Sequence, residues 1–158
     1  MTEAVAENVK DIRARSLYEQ DILLWVEDTV AKLKAGDFQN LDLINLIEEV
    51  ESLGLSQKKE LLSRLVTLLE HILKRMYVDI PNDYNGWERT IRNQRVELEL
   101  LLKQVPSLKN RWDDSFVEAW RVALKTVRKE YRQINFPNRW QYPQDIETML
   151  DRDFWEDV

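Results

Sequence analysis

Three glycines and four prolines are all the strong punctuation in 158 residues, which argues against a fold built on tight turns. Between these breaks the apolar residues recur at steps of three and four, the period of one helix face. The pattern predicts an all-α chain, an irregular bundle of five or six helices. A first helix is expected from about Ser16 to Lys34, contacting its neighbours through Leu17, Leu24, Val30 and Leu33. Gly36 reads as its stop, because glycine takes the left-handed position that ends helices. Asp42 is a credible N-cap for a short second helix over 43–53, with Leu43, Leu46, Ile47, Val50 and Leu53 turned inward and Gly54 at its end.

Ser56 is the expected cap of a third helix over 57–78, whose wide stripe runs from Leu61 through Leu65, Leu69 and Ile72 to Met76. Pro81, Asn82, Asp83, Asn85 and Gly86 form the clearest turn cluster. A fourth helix follows over about 86–104, and Pro106 breaks it. The fifth begins near Leu108 or Arg111 and carries Trp112, Phe116, Ala119, Trp120, Ala123 and Val127. Pro137 and Pro143 bracket an irregular connection, Gln144 or Asp145 opens a final short helix, and Phe154 with Trp155 docks back on the bundle. The short second helix is expected to pack against the long third and fourth. Residues 1–14 form a polar lead-in of frayed character, and 15–158 one helical domain.

Composition narrows the setting. Without cysteine there is no disulfide framework, which fits a reducing compartment and a cytoplasmic location. The first ten residues lack the basic and apolar regions of a secretory signal, and no run reaches the 18 or so apolar residues of a membrane span. Charge is graded along the chain. Residues 1–54 hold 5 basic and 12 acidic groups, residues 86–132 hold 11 and 7, and residues 133–158 hold 2 and 6. Either acidic and basic helices neutralise each other internally, or the basic segment is an external patch for an acidic partner. The overall charge of −6 disfavours nucleic acid, whose binding rests on phosphate neutralisation.

Several segments together resemble a known family: LYEQDILLWVEDT (17–29), LDLINLIEEVESLG (41–54), LLEHILKRMY (68–77), GWERTIRNQRVELELLL (86–102), VPSLKN (105–110) and YPQDIETMLDRDFW (142–155). The resemblance is to domain-of-unknown-function family 29, abundant in cyanobacteria, and covers nearly the whole chain in consistent order. It implies an all-helical domain in a bacterial cytoplasm and assigns no activity. Glu48-Glu49, His71, Trp87 and Arg95 match positions that recur in that family without established roles. The chain departs from the pattern in having Arg75 and Met76 after Lys74, where an aromatic directly after the lysine is expected.

Polar residues set inside apolar stripes mark the candidate site. Arg95 lies between Ile91, Leu98 and Leu102, so its guanidinium needs a carboxylate. Glu48 and Glu51, three apart on one side of the second helix, are the expected partners, and Glu49 is expected in solvent. The chain's only histidine, His71, completes a structural ionic network of Glu48, Glu51, His71 and Arg95 by donating to one of those carboxylates.

The same Glu48, Glu51 and His71 are candidates for a general base or an iron or manganese site. No second histidine or cysteine supports zinc, Leu68 stands where a Glu-x-x-His motif needs its carboxylate, and no cofactor loop is present, so no cofactor is expected. Lys74, Arg75, Arg89, Arg92, Arg128, Lys129 and Arg132 could make a basic face for nucleic acid. Of the six tryptophans, Trp140 and Trp155 are the candidate interface aromatics. The favoured reading is a non-catalytic helical protein-interaction domain, with a protein partner or a second copy. The alternatives are an enzyme using Glu48, Glu51 and His71, or nucleic-acid binding through 86–132.

Overall fold

The computed structural model describes residues 17–157, which form helices and no strand. The polar lead-in of residues 1–14 lies outside the described residues. Contacts divide the chain into two compact units, one up to Leu55 and one from Ser56 onward.

In the first unit, a helical turn at 17–20 is followed by α1, Ile22–Ala35. The break inside the expected first helix is a cap: the Asp21 carboxylate accepts from the backbone N–H of Leu24 at 3.1 Å. Gly36 ends α1 as expected, at φ 69° and ψ 19°. Its N–H reaches the carbonyl of Leu33 and that of Asp37 reaches Lys32, the paired bonds of a Schellman motif. Asp42 then starts α2, accepting from the backbone N–H of Asn45 at 3.4 Å.

α2 corrects the sequence reading. It runs unbroken over Leu43–Tyr77, so the expected short helix and the long one after it are a single element. Gly54 is not in the left-handed region, where Gly36 stands alone among the described residues. One glycine inside a helix costs only about 1 kcal/mol, less than the neighbouring helix formers and packing return. Ser56 therefore caps nothing.

The second unit holds the rest of α2, then α3 (Pro81–Gln104), a 3₁₀ segment (Pro106–Arg111), α4 (Trp112–Glu130) and α5 (Ile146–Asp151). The turn cluster at 81–86 belongs to α3, with Pro81 at its first turn, where the missing N–H has no intrahelical partner to lose. Leu61, Leu65, Leu68, Leu69 and Ile72 of α2 are fully buried with Ile91 and Leu98 of α3 and with Phe116, Ala119 and Ala123 of α4. Each such large side chain contributes about 1.5–3 kcal/mol by leaving water, and the two alanines permit close helix approach. Asp145 caps α5 by accepting from the Thr148 N–H at 3.0 Å. The C-terminal aromatic segment docks back as expected, with Met149 and Phe154 at 0% exposure in the same core.

Candidate functional site

The first unit is inside out relative to its sequence. Its buried side chains among the described residues are Trp25, Thr29, Asp42 and Asn45, three of them polar. The Asp42 carboxylate organises them, accepting from Trp25 Nε1 at 3.2 Å and from Asn45 Nδ2 at 2.6 Å. Tyr18 packs edge-on against Trp25 at 5.1 Å and donates its hydroxyl to Glu49 at 2.5 Å. That bond and the surrounding carboxylates push the phenol up to about 12. Glu49, expected in solvent, is thus a half-buried acceptor.

The aliphatic residues face outward instead. Thirteen large hydrophobic side chains between Ile22 and Leu55 are 41–67% exposed. On α1, Ile22, Leu23, Val26, Val30 and Leu33 fall within about 100° of arc at 3.6 residues per turn. On α2, Leu43, Ile47 and Val50 share a row with Leu61, Leu65 and Leu68, by steps of three and four and their multiples. The first three are at least 55% exposed and the last three are fully buried. The inward face expected for Leu43, Ile47, Val50 and Leu53 is corrected: periodicity identified the face and not what it meets.

Glu48 and Glu51 stand at the margin of this face, four residues after Ile44 and Ile47, and both are exposed without an ion-pair partner among the described residues. His71 comes twenty residues after Glu51 on the same helix, about five and a half turns later. Its Nδ1 lies 2.8 Å from the carbonyl of Thr67, one turn back, rather than on a glutamate. Burial holds its imidazole below the usual 6.5, with Lys74 adding in the same direction. Among the described residues no group of three His, Asp or Glu side chains gathers as a metal site, so Glu48, Glu51 and His71 are not brought together.

Arg95 is buried at 9% exposure, and its partners correct the expected clamp. Nε donates to the Met149 carbonyl at 3.1 Å, Nη1 to Asp153 Oδ1 at 3.0 Å, and Nη2 to the Arg152 carbonyl. The guanidinium thus caps the last turn of α5, where unpaired carbonyls and the negative helix end favour a cation. Asp153, in place of Glu48 or Glu51, supplies the carboxylate. Nothing in the sequence singled it out among its acidic neighbours.

Beside it, Arg75 pairs with Glu88 at 2.6 Å and lies 3.8 Å over the Tyr84 ring and 5.4 Å from Trp155. Arg75, Arg92 and Arg95 share a cleft of about 400 Å³ with Glu88, Asp153 and Glu156, three cations against three carboxylates. Such a balance makes a structural ionic cluster and leaves little field for an anion. Trp140 meets Phe116, Trp120, Tyr142 and Phe154 at 4.9–5.9 Å, and Trp155 is half-buried, so the rings of both pack within the second unit.

Lys74 pairs with Glu130 at 3.0 Å and Arg75 with Glu88, which removes both from the expected basic face. Of the others, Arg89 and Arg92 are exposed on α3, Arg128 donates to the Phe136 carbonyl and to Asn138 Oδ1, and Lys129 and Arg132 lie at a groove along α4 of about 690 Å³. Val117, Trp120 and Leu124 supply its apolar surface, and Lys125, Lys129 and Arg132, all exposed, lie along its margin. Their steps of four and three put these cations on one side.

Among the described residues no helix is long and apolar enough to cross a membrane. A family model described as "Domain of unknown function DUF29" matches residues 17–155. No curated protein matches the chain, and no solved structure does.

Proposed function

The chain belongs to the DUF29 family, and we propose that it is a non-catalytic helical interaction domain that meets a protein partner through the aliphatic face of residues 22–55. The observation that carries this reading is the exposure of thirteen large hydrophobic side chains in that stretch, while the interior beneath them is polar. A typical monomer's largest apolar patch is roughly 300–600 Å², and larger ones mark interaction surfaces. Covering such a face gains the same transfer free energy that drives folding. The lack of cysteine supports placing this contact in a reducing cytoplasm.

The test combines sedimentation at micromolar concentration with affinity capture from native lysate. A double substitution, Ile47→Ser with Val50→Ser, serves as the control. The expected result is a specific assembly that the substitutions abolish. A strictly monomeric protein that recovers nothing dependent on Ile47 and Val50 would count against the reading.

A further inference from the structure

We infer that the occupant of the aliphatic face is a second copy of this chain, whose α4 groove receives it; this rests on the interaction reading above. The two surfaces match in kind and oppose in charge. Residues 17–55 carry nine acidic and two basic side chains, and Glu27, Glu48 and Glu51 border the aliphatic rows. The groove offers an apolar floor at Val117, Trp120 and Leu124, bordered by Lys125, Lys129 and Arg132, while the one carboxylate in its lining, Glu118, is held by Arg121 at 2.6 Å. None of these three cations has an ion-pair partner among the described residues, so their charges are free to face another molecule.

Charge also decides against the simpler symmetric pairing of two aliphatic faces. That arrangement sets two acidic rims together, and like-charge juxtaposition across an interface costs several kcal/mol. Opposite rims instead select the register and raise the encounter rate. A reciprocal exchange, each copy giving its aliphatic face and receiving the other's in its groove, would give a closed two-fold dimer. A one-way contact would propagate into a filament.

The experiment is sedimentation of the full chain across a concentration series, with far-ultraviolet spectra confirming that every variant stays helical. The variants are Glu48→Lys with Glu51→Lys, Lys125→Glu with Arg132→Glu, and all four changes together. Wild type is expected to dimerise, each reversal to weaken dimerisation by roughly tenfold or more, and the combined swap to recover it. A wild type that stays monomeric, a dimer indifferent to either reversal, or a swap that recovers nothing overturns the inference. If a monomer still captures a partner through Ile47 and Val50, the interaction reading stands and the second copy falls. A groove that instead binds a single-stranded oligonucleotide, with loss in Lys125→Glu, also overturns it.

Discussion

The Nε of Arg95 donates to the carbonyl of Met149 at 3.1 Å, joining residues 54 positions apart. With Nη2 on the Arg152 carbonyl and Nη1 on Asp153, one guanidinium ties the mid-section of α3 to the end of α5. Three donors of fixed geometry do what a single ammonium cannot.

Removing the two ends of this contact should have unequal effects. Arg95→Ala leaves the Met149 and Arg152 carbonyls unpaired and a hole in the wall, and is expected to cost about 2–5 kcal/mol, from roughly 1–3 kcal/mol for each orphaned acceptor. Asp153→Ala removes a carboxylate whose side chain is 45% exposed, and solvent screening holds its cost to about 1 kcal/mol or less. Arg95→Lys should not restore the wild-type value. Urea denaturation of the three variants measures this, and equal losses for Arg95→Ala and Asp153→Ala would show that the ion pair outweighs the carbonyl caps.

Acid should weaken the fold through His71. Burial lowers its folded pKa below the 6.5 of the free side chain, so between the two values the unfolded chain binds more protons. Stability is then full above about 6.5 and declines as pH falls through that window. Glu70 and Glu130 oppose the shift, and burial and Lys74 produce it. In His71→Gln the decline in melting temperature from neutral to mildly acidic pH should be shallower. An identical slope in wild type and variant would exclude His71 as its source.

Some of this was readable before the fold. The Leu61–Ile72 stripe, the stops at Gly36 and Pro106 and the caps at Asp42 and Asp145 follow from local chemistry, because spacing and side-chain type determine each. Asp153 could not be picked out, since Asp145, Glu147, Asp151 and Asp153 are equivalent by type and only the end point of α5 selects one. The outward turn of Leu43, Ile47 and Val50 was equally hidden. Periodicity groups residues on a face, and whether that face becomes core depends on distant helices.

Asp42 should act locally. Its carboxylate is at once the cap of α2 and the acceptor for Trp25 Nε1 and Asn45 Nδ2. Asp42→Ala forfeits a cap worth about 1 kcal/mol and leaves a buried indole N–H without its partner, a further 1–3 kcal/mol or so. Amide hydrogen exchange should therefore accelerate over residues 43–47 and stay slow over Leu61–Ile72. Uniform acceleration along α2 would mean that its two halves open as one unit.

The two glycines read as helix stops should respond to alanine with opposite signs. Gly54 is helical and exposed, and a Cβ placed there meets nothing within 4 Å. Gly54→Ala therefore loses only the entropy that glycine gives the unfolded chain, and should stabilise by about 0.5–1 kcal/mol. Gly36 also has open space around it, but its φ of 69° is one an L side chain adopts at a cost. Gly36→Ala should destabilise by about 1–2 kcal/mol. Thermal melts of the two variants decide the matter. A destabilised Gly54→Ala would mean that the chain bends at Gly54 in solution, and the helix would then divide there.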